Sequence, residues 1–286
     1  MKRALAVAVL LASAAAHGWH APGHEVSVRL AVQRLGEEAP ALFSEGVEQI
    51  AHTSLDPDLH RPRALPQLRA AEAPEHYFDM ELLDGADLPP TRPEFLALCA
   101  ERGIDSAKVG ALPYAVAEWT QRLAVALAEH RRWPENEHIK AKCLVYAGLL
   151  SHYAGDLCQP LHTTIHFDGM VGEDGVSPRT GIHAKADALL HKVDDPERVA
   201  REASPRAFDD LWAGVLASLE ASHALVPRVY AIEAELPAPE DPLPAGTEAT
   251  RFAEERLAAT VEFLGSLYLT AWKLSGEIAL PEWHTR

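Results

Sequence analysis

The sequence predicts an all-α protein that folds as a single multi-helix domain. Alanine and leucine dominate, β-branched residues are sparse, and no alternating apolar and polar stretch is long enough to predict a strand. Neither an internal repeat nor a linker divides the chain, and its 48% of hydrophobic residues allow a substantial core. The predicted helices span residues 24–36, 40–52, 93–102, 107–131, 137–158, 181–193, 206–230 and 247–275.

The N-terminal segment, residues 1–18, has the pattern of a signal peptide. Two basic residues precede an apolar run, and Ala16 and Gly18 are the small residues expected before a cleavage site. Cleavage there leaves a mature domain, residues 19–286, that begins at Trp19. The apolar run is too short to span a bilayer, and no later run is long enough either. We therefore expect an exported protein, periplasmic or secreted, without stable membrane insertion.

Charge and cysteine content narrow the function further. The formal net charge is −16, and removal of the two basic residues with the signal peptide makes it −18. This acidic excess argues against a broad basic surface for nucleic acid or an anionic membrane, so any phosphate would be held locally, by a metal or a few arginines. No segment indicates a protein partner. The three cysteines, Cys99, Cys143 and Cys158, allow at most one disulfide, so disulfides do not hold this fold together.

The chain is organised around residues 144–162, which read LVYAGLLSHYAGDLCQPLH. The first half of this segment is apolar enough for a buried helix. His152 and Asp156 lie four residues apart, so a helix places the imidazole and the carboxylate side by side on one face. Pro160 disfavours further helix, and His162 follows just beyond the break, where it can turn back toward the pair.

A second pair with the same spacing, His183 and Asp187, lies in the segment IHAKADALL. A single pair of this kind is more often a hydrogen-bonded core pair or two surface charges. A buried carboxylate, however, is costly unless it is paired or bound to a metal. Two such pairs and a histidine at a helix break therefore predict a multinuclear metal site, for which other segments must supply further ligands.

Trp19 and His24 are the N-terminal candidates, in the segment GWHAPGHEV. Pro22 and Gly23 bend the chain there, just before the first predicted helix. His24 could be a simple surface residue. Signal cleavage, however, would expose the amino group of Trp19, which forms a natural metal chelate together with the carbonyl oxygen of the same residue.

Two further clusters of polar residues border a predicted loop. In SLDPDLHRPR, Asp56, Asp58 and Arg61 surround a proline turn, for which the simpler interpretation is a solvated surface. In EHYFDM, His76 lies between a loop and an apolar pair, and Asp79 follows three residues later. The predicted loops are residues 53–75, 84–92, 163–180 and the proline-rich acidic segment 235–246.

In this order the motifs resemble those of the S1/P1 nuclease and zinc-dependent phospholipase C superfamily. The likeness comprises an N-terminal Trp with a His five residues later, D-x-x-R at Asp58, H-[YF]-x-D at His76, H-x-x-x-D-x-x-Q-P-L-H at His152 and H-x-x-x-D at His183. It covers residues 19–187, and the last third of the chain is similar only in being helical. The interval from Asp58 to His76 departs from the family, because it is a few residues longer than usual. The resemblance implies a helical domain of the phospholipase C/P1 nuclease type.

The resemblance also implies three zinc ions, held by imidazole nitrogens and carboxylate oxygens with positions left open for water and substrate. Asp156 would be shared by two of them. Asp56 is the alternative to Asp58, which we prefer because the arginine three residues later completes the D-x-x-R motif. The implied ligands are Asp58, His76, His152 and Asp156 for the first zinc, the Trp19 amino and carbonyl groups, His24 and Asp156 for the second, and His162, His183 and Asp187 for the third.

The chemistry implied by the resemblance is phosphodiester hydrolysis. A hydroxide that bridges two zincs would attack phosphorus in line, oriented by Asp58, and the third zinc would stabilise the departing alkoxide. Arg61 would hold a non-bridging phosphate oxygen. Tyr77 and Asp79 would stack on a nucleic-acid base and hydrogen-bond to it; the alternatives are a core aromatic and a helix-capping carboxylate.

We therefore expect a nuclease that acts on single-stranded nucleic acid or 3′-nucleotides. A phospholipase C is the alternative, but the Trp-to-His spacing is short, Arg61 is present, and Asp187 stands where the bacterial phospholipases carry Glu. The few cysteines do not match the disulfide pattern of the fungal nucleases. A non-catalytic zinc-binding protein would have no use for Arg61, and an inert helical interaction domain would leave the ligand set unexplained.

Overall fold

The structure is a computed structural model that describes residues 19–285. The predicted signal peptide lies outside the described residues. Within them the chain is all-helical and has no strand, which confirms the predicted fold class at this level. The α-helices are, in chain order, α1 (Ala21–Arg34), α2 (Leu42–Glu45), α3 (Val47–Thr53), α4 (Asp56–Leu59), α5 (Pro66–Glu72), α6 (Arg92–Arg102), α7 (Ser106–Val109), α8 (Leu112–Arg132), α9 (Glu137–Leu157), α10 (Ile182–Asp187), α11 (Pro196–Ala200), α12 (Leu211–His223), α13 (Val226–Ala231) and α14 (Glu248–Ser275). Short 3₁₀ turns cover Gly36–Glu38, Ala73–His76, Met80–Leu83, Pro160–His162, Leu190–Lys192 and Glu233–Glu235.

Helix α9 lies at the centre of the fold. It packs along α8 and also contacts α3, α14 and α1. Asn136 caps its start by accepting two backbone N–H groups of the first turn. Leu150 and Ala154 are fully buried, and the Tyr268 hydroxyl of α14 donates to the carbonyl oxygen of Ala147 at 3.2 Å. Polar side chains on the last two turns of α9 therefore lie in the interior, where they need partners.

The helix predicted over residues 107–131 is wrong at Gly110, which separates α7 from α8. Gly110 has a φ of 92°, in the left-handed region that favours glycine. A Cβ at this position would lie 2.0 Å from the carbonyl oxygen of Tyr77. Because the helix is interrupted at Gly110, the extended segment around Tyr77 packs against this glycine. The Asp79 N–H donates to the Val109 carbonyl oxygen at 2.7 Å. Gly110 thus positions two residues that the sequence analysis assigned to the site.

Two predictions for the N-terminal part are also corrected. The first helix begins at Ala21 instead of residue 24, because Pro22 is compatible with the first turn of a helix. The helix predicted over residues 40–52 is divided at Gly46 into α2 and α3. Pro22 therefore lies in the first turn of α1 and does not bend the chain before that helix, contrary to the prediction from the sequence.

The helices predicted over residues 181–193 and 206–230 are shorter in the structure. Helix α10 covers the first half of the former range, and a 3₁₀ turn follows. Residues 206–210 are not helical, because their N–H groups bond to another element: the Phe208 N–H donates to the Thr270 hydroxyl of α14 at 2.8 Å. The remainder of this range is divided between α12 and α13.

The loop predicted over residues 53–75 is wrong as well, since it contains α4 and α5. Pro57 and Pro66 each occupy the first turn of these short helices, where the missing N–H costs nothing. The other three loop predictions are confirmed apart from single residues at their ends. The segment between the D-x-x-R motif and His76 is therefore an ordered helical part of the structure.

Two negative results complete the description of residues 19–285. Each of the three cysteines is a buried free thiol, so the described chain has no disulfide. No helix in this range is both long enough and apolar enough to cross a bilayer.

Candidate metal centre

The predicted His and Asp ligands lie together in the interior, beside the C-terminal half of α9. They are carried by α1, α4, α9 and α10 and by the 3₁₀ turns Ala73–His76 and Pro160–His162. Among the described residues, their donor atoms form three groups, within each of which all atoms lie within 4.8 Å of one another. Asp56 belongs to none of these. The groups are His24, His152 and Asp156; Asp58, His76 and His152; and His162, His183 and Asp187.

Asp156 is fully buried and lies between the first two groups. Its Oδ1 atom is 3.4 Å from His24 Nε2, and its Oδ2 atom is 3.0 Å from His76 Nδ1 and 3.4 Å from His152 Nε2. Neither Oδ1 nor either ring nitrogen of His24 has a hydrogen-bond partner among the described residues. Buried polar atoms left without partners cost roughly 1–3 kcal/mol each. This donor set fits a bound cation, which would satisfy these atoms together.

The charges around Asp156 keep it ionised. Burial opposes ionisation, but His152 and His162 outweigh it and hold the pKa of Asp156 well below its ordinary value. Burial lowers the pKa of His162 to about 4, and burial together with His152 lowers the pKa of His24. For His152, burial acts downward, but Asp156 and Asp58 raise its pKa on balance. Metals bind neutral imidazole and ionised carboxylate, so the pKa shifts of Asp156, His162 and His24 favour the forms that bind a cation, whereas that of His152 opposes it.

Three of the histidines are each oriented by a hydrogen bond on one ring nitrogen. Each donates through Nδ1 to a backbone carbonyl oxygen, which fixes the proton on Nδ1 and leaves the lone pair on Nε2. Hydrogen bonds of this kind on the outer nitrogen are typical of histidines that bind a metal. The pairs are His152 with Ser54 at 2.8 Å, His162 with His76 at 2.5 Å and His183 with Phe167 at 3.0 Å.

His76 is oriented by a carboxylate instead. Its Nε2 atom lies 3.4 Å from Glu72 Oε1, while Nδ1 is 3.0 Å from both Asp156 Oδ2 and His152 Nε2. The hydroxyl of Tyr153 donates to Glu72 and holds this carboxylate in place. Sequence analysis missed Glu72, because its helical spacing from His76 carries no signal in a segment interpreted as a loop.

In the third group, both oxygens of the carboxylate have partners. Asp187 Oδ2 lies 3.1 Å from His183 Nε2, and Oδ1 accepts a hydrogen bond from Gln159 Nε2 at 2.5 Å. Gln159 also accepts the Leu161 N–H at 2.5 Å, which forms the turn that brings His162 into the group. Burial raises the pKa of Asp187, against the effect of His183. Gln159 was visible in the Q-P-L-H motif, but its role depends on the packing of α10.

Asp58 and Arg61 form an ion pair beside the second group. Arg61 Nη2 is 2.5 Å from Asp58 Oδ1, and the same oxygen is 4.0 Å from His76 Nδ1 and from His152 Nε2. Burial opposes the ionisation of Asp58, but His152 and Arg61 lower its pKa on balance. The one-turn helix α4 positions Asp58, so the aspartate three residues before the arginine is the one that faces the histidines.

The side chain of Trp19 is anchored next to Asp156. It is fully buried, and its Nε1 atom donates to the Gly155 carbonyl oxygen at 2.8 Å. A Cβ on Gly155 would lie 2.9 Å from His24 Nδ1, so α9, Trp19 and His24 are closely packed here. The prediction that the Trp19 amino group is a ligand depends on cleavage after Gly18, which lies outside the described residues.

A cavity of about 610 Å³ opens beside the histidines. Its wall includes three of the predicted ligands and all three residues that the sequence analysis assigned to substrate. Apolar side chains complete much of the rest, including Leu82, Ile165 and Phe167. The wall therefore combines charged and polar groups with apolar surface. The predicted residues in the wall are Arg61, His76, Tyr77, Asp79, His162 and His183.

Tyr77 is not a core aromatic and Asp79 is not a helix-capping carboxylate, the two simpler interpretations of these residues. Tyr77 is partly exposed in the cavity wall, and its hydroxyl donates to the Ala107 carbonyl oxygen at 2.7 Å. Asp79 precedes the 3₁₀ turn Met80–Leu83, yet its side chain makes no capping hydrogen bond. Burial, aided by the charge of Glu81, raises the pKa of Asp79 to about 7. Its carboxyl group can therefore both donate and accept hydrogen bonds near neutral pH.

No protein-family model matches the chain. No curated protein matches it either. The function is therefore argued from the site itself.

Proposed function

We propose that this protein is a zinc-dependent phosphodiesterase that hydrolyses single-stranded nucleic acid or 3′-nucleotides in the manner of S1/P1-type nucleases. The orientation of the histidines carries the proposal: His152, His162 and His183 are held at Nδ1 by backbone carbonyls, and one oxygen of the buried Asp156 accepts no hydrogen bond among the described residues. A hydrogen-bonded core cluster would satisfy its own atoms, whereas a metal site needs atoms held ready for the ion.

The donor set of imidazole nitrogens and carboxylate oxygens suits zinc. When bound, zinc ions would supply Lewis acidity toward water and phosphate oxygens. Asp156 would link two of the ion positions, because its oxygens face His24 on one side and His76 on the other. Three ions are expected if each of the three groups binds one, with the Trp19 amino group as a further ligand in the group of His24.

The residues in the cavity wall have separate roles in this reaction. Arg61 would bind a non-bridging oxygen of the phosphate, and its ion pair with Asp58 aims the guanidinium at the metal centre. Asp58 would orient the attacking water. Tyr77 offers a partly exposed ring for stacking on a base, and Asp79 a carboxyl group for the hydrogen-bonding edge of that base.

Phospholipase C activity is the second candidate, and one observation favours it. The cavity wall is largely apolar, and Leu59 and Leu65, near Arg61 in the chain, are 70% and 53% exposed. Such leucines could contact acyl chains. The cavity wall, however, also includes Asp79, a partly buried carboxyl group suited to a base and of no use to a diacylglycerol. We therefore favour the nuclease.

The test is hydrolysis of single-stranded DNA, RNA, a 3′-mononucleotide and phosphatidylcholine by the zinc-loaded protein, side by side. We expect a nucleic-acid substrate to be cleaved at least about tenfold faster than the phospholipid. Faster release of phosphocholine would overturn the assignment in favour of the phospholipase, and no hydrolysis of any of the four would exclude both.

Two controls connect the activity to the site. Treatment with a chelator should abolish hydrolysis, and added zinc should restore it. His138→Ala removes an exposed histidine in the first turn of α9, on the same helix as His152. This variant should keep wild-type zinc content and activity. Loss of zinc or of activity in His138→Ala would mean that replacing a histidine outside the site also disrupts it.

A further inference from the structure

Helix α5 forms a second depression next to the cavity. Pro66, Arg69, Ala70 and Ala73 lie at positions i, i+3, i+4 and i+7, so they share one helical face, and with Arg63 they line a depression of about 480 Å³. Arg69 and Ala73 belong to the walls of both the depression and the main cavity. A ligand can therefore extend from the metal centre along α5 without leaving the protein surface.

Arg69 is held in this shared wall by the backbone. Its Nη1 atom donates to the carbonyl oxygen of Arg61 at 2.9 Å, and among the described residues no carboxylate forms an ion pair with it. The other end of α5 is anchored by Glu72, which contacts His76 and accepts the Tyr153 hydroxyl. The guanidinium is thus kept in position by contacts that leave its positive charge without a neutralising partner.

The basic residues here contrast with the rest of the chain. The protein carries a formal net charge of −16, yet Arg61 and Arg69 both line the main cavity, and Arg63 and Arg69 line the depression. An anion bound beside Arg69 would neutralise its guanidinium, which forms no ion pair with a carboxylate of the described residues. Arginine is also the side chain best suited to bind phosphate with two parallel hydrogen bonds.

We propose that Arg69, together with Arg63, forms a second phosphate subsite that binds the backbone phosphate next to the one being cleaved. The ligand class is a single nucleic-acid strand with at least two consecutive phosphates, which would run from Arg61 along α5. This inference rests on the proposed phosphodiesterase function and adds to it a preference for strands over substrates with one phosphate. It concerns the part of the chain that is longer than usual in the family it resembles.

The first experiment compares Arg69→Gln with the wild type on a dinucleoside monophosphate and on a tetranucleotide. Arg201→Gln, an equal charge change at an exposed position just after α11, is the matched control. For Arg69→Gln we expect kcat/KM on the tetranucleotide to fall about tenfold and that on the dinucleoside monophosphate to change less than about twofold. The slope of log kcat/KM against log salt concentration for the tetranucleotide should become shallower by about 0.7, the value for one lost contact to a single strand.

The second experiment removes the charge from the ligand. A methylphosphonate replaces the phosphate adjacent to the scissile one, and kcat/KM is measured for both proteins on both tetranucleotides. We expect the neutral linkage to lower kcat/KM of the wild type about tenfold. For Arg69→Gln, kcat/KM should fall by less than about twofold, because the guanidinium that would bind the charged phosphate is already missing. If the neutral linkage lowered kcat/KM equally in the wild type and in Arg69→Gln, the subsite would be overturned. The same would hold if, in the first experiment, Arg69→Gln lowered kcat/KM equally on the tetranucleotide and on the dinucleoside monophosphate.

A binding measurement separates this inference from the proposed function. Fluorescence anisotropy of a labelled phosphorothioate tetranucleotide gives the affinity for both proteins without requiring hydrolysis. If no phosphodiester is cleaved but Arg69→Gln binds the strand about tenfold more weakly than Arg201→Gln, the subsite stands and the catalytic proposal fails. If cleavage occurs and both variants bind and cleave like the wild type, the catalytic proposal stands and the subsite fails.

Discussion

Asp156 and Asp187 are both buried carboxylates four residues after a histidine on a helix, yet their surroundings differ. Asp187 has a partner for each oxygen, Gln159 for one and His183 for the other. Asp156 faces four imidazoles, and its Oδ1 atom accepts no hydrogen bond among the described residues. The pKa of Asp187 is raised by burial, whereas the histidines around Asp156 hold its pKa well below the ordinary value.

The difference shows which part of the site depends most on a cation. The group around Asp187 can satisfy its own polar atoms, and a proton can take the place of a metal charge. The group around Asp156 leaves Asp156 Oδ1 and both ring nitrogens of His24 without hydrogen-bond partners among the described residues, and a bound cation would satisfy these atoms together. We therefore expect the two halves of the site to respond differently to mutation and to metal removal.

The largest effect is expected from Asp156→Asn, which keeps the shape of the side chain and removes its charge. Because both oxygens face imidazoles of different groups, two zinc ions should be lost together, and hydrolysis should fall by at least about a thousandfold. Asp187→Asn should lose only one ion. Zinc per protein, measured by atomic emission, and turnover on single-stranded DNA check both variants. Loss of a single ion in Asp156→Asn would mean that the carboxylate does not link two positions.

Arg61→Ala tests the substrate side of the Asp156 half. Arg61 contacts Asp58 but offers no ligand atom, so zinc content should be unchanged while kcat/KM falls on every phosphodiester. Loss of one charge-assisted contact to the reacting phosphate is worth about 2–4 kcal/mol, or roughly thirty- to a thousandfold. If zinc content falls in parallel with activity, Arg61 acts by holding Asp58 and does not bind substrate.

Gln159→Leu removes the hydrogen bond from Gln159 Nε2 to Asp187 Oδ1, which satisfies one oxygen of Asp187 without a metal. Loss of an outer partner typically weakens metal affinity about ten- to a hundredfold, and here only one ion should be affected. Titration of the zinc-loaded protein with a competing chelator should therefore show one weakened site and two unchanged ones. Glu72→Gln, the matched change at His76, should weaken a site in the Asp156 half instead. If either variant weakened zinc binding equally at all three sites, the two halves of the site would not be independent.

The smallest effect concerns Asp79, a partly buried carboxylate that also lies near the charge of Glu81. Its pKa is raised to about 7, so between its ordinary pKa of 3.8 and about pH 7 the folded chain holds a proton that the unfolded chain has lost. Stability should therefore fall as pH rises through this window. Because the side chain keeps some contact with solvent, Asp79→Asn should stabilise the zinc-free protein at pH 8 by about 1–3 kcal/mol. The difference should vanish at pH 4 in urea unfolding.

A control distinguishes this effect from better packing of the amide. Asp105→Asn changes an exposed aspartate at the start of α7, which caps that helix and lies near Tyr77. It should show no gain in stability at pH 8. A gain for Asp79→Asn that persists unchanged at pH 4 would show that titration of Asp79 is not its cause.

Several features were determined by the sequence alone, because they depend on neighbouring residues. Helices predicted over residues 93–102, 137–158 and 247–275 agree with α6, α9 and α14 to within a residue at each end. The two His/Asp pairs lie on helices as predicted, since a spacing of four residues places side chains on one face whatever surrounds the helix. The apolar first half of residues 144–162 likewise predicted that this helix is the buried one.

Other features were decided only by the tertiary structure, because they depend on distances between segments far apart in the chain. The D-x-x-R spacing favoured Asp58 over Asp56, but only the docking of α4 on α9 brings Asp58 to the histidines. Glu72 and Gln159 become partners of ligands only when α5 and α10 are packed in place. A local pattern fixes the direction of a side chain along its own helix, whereas its partners are set by how the helices pack against one another.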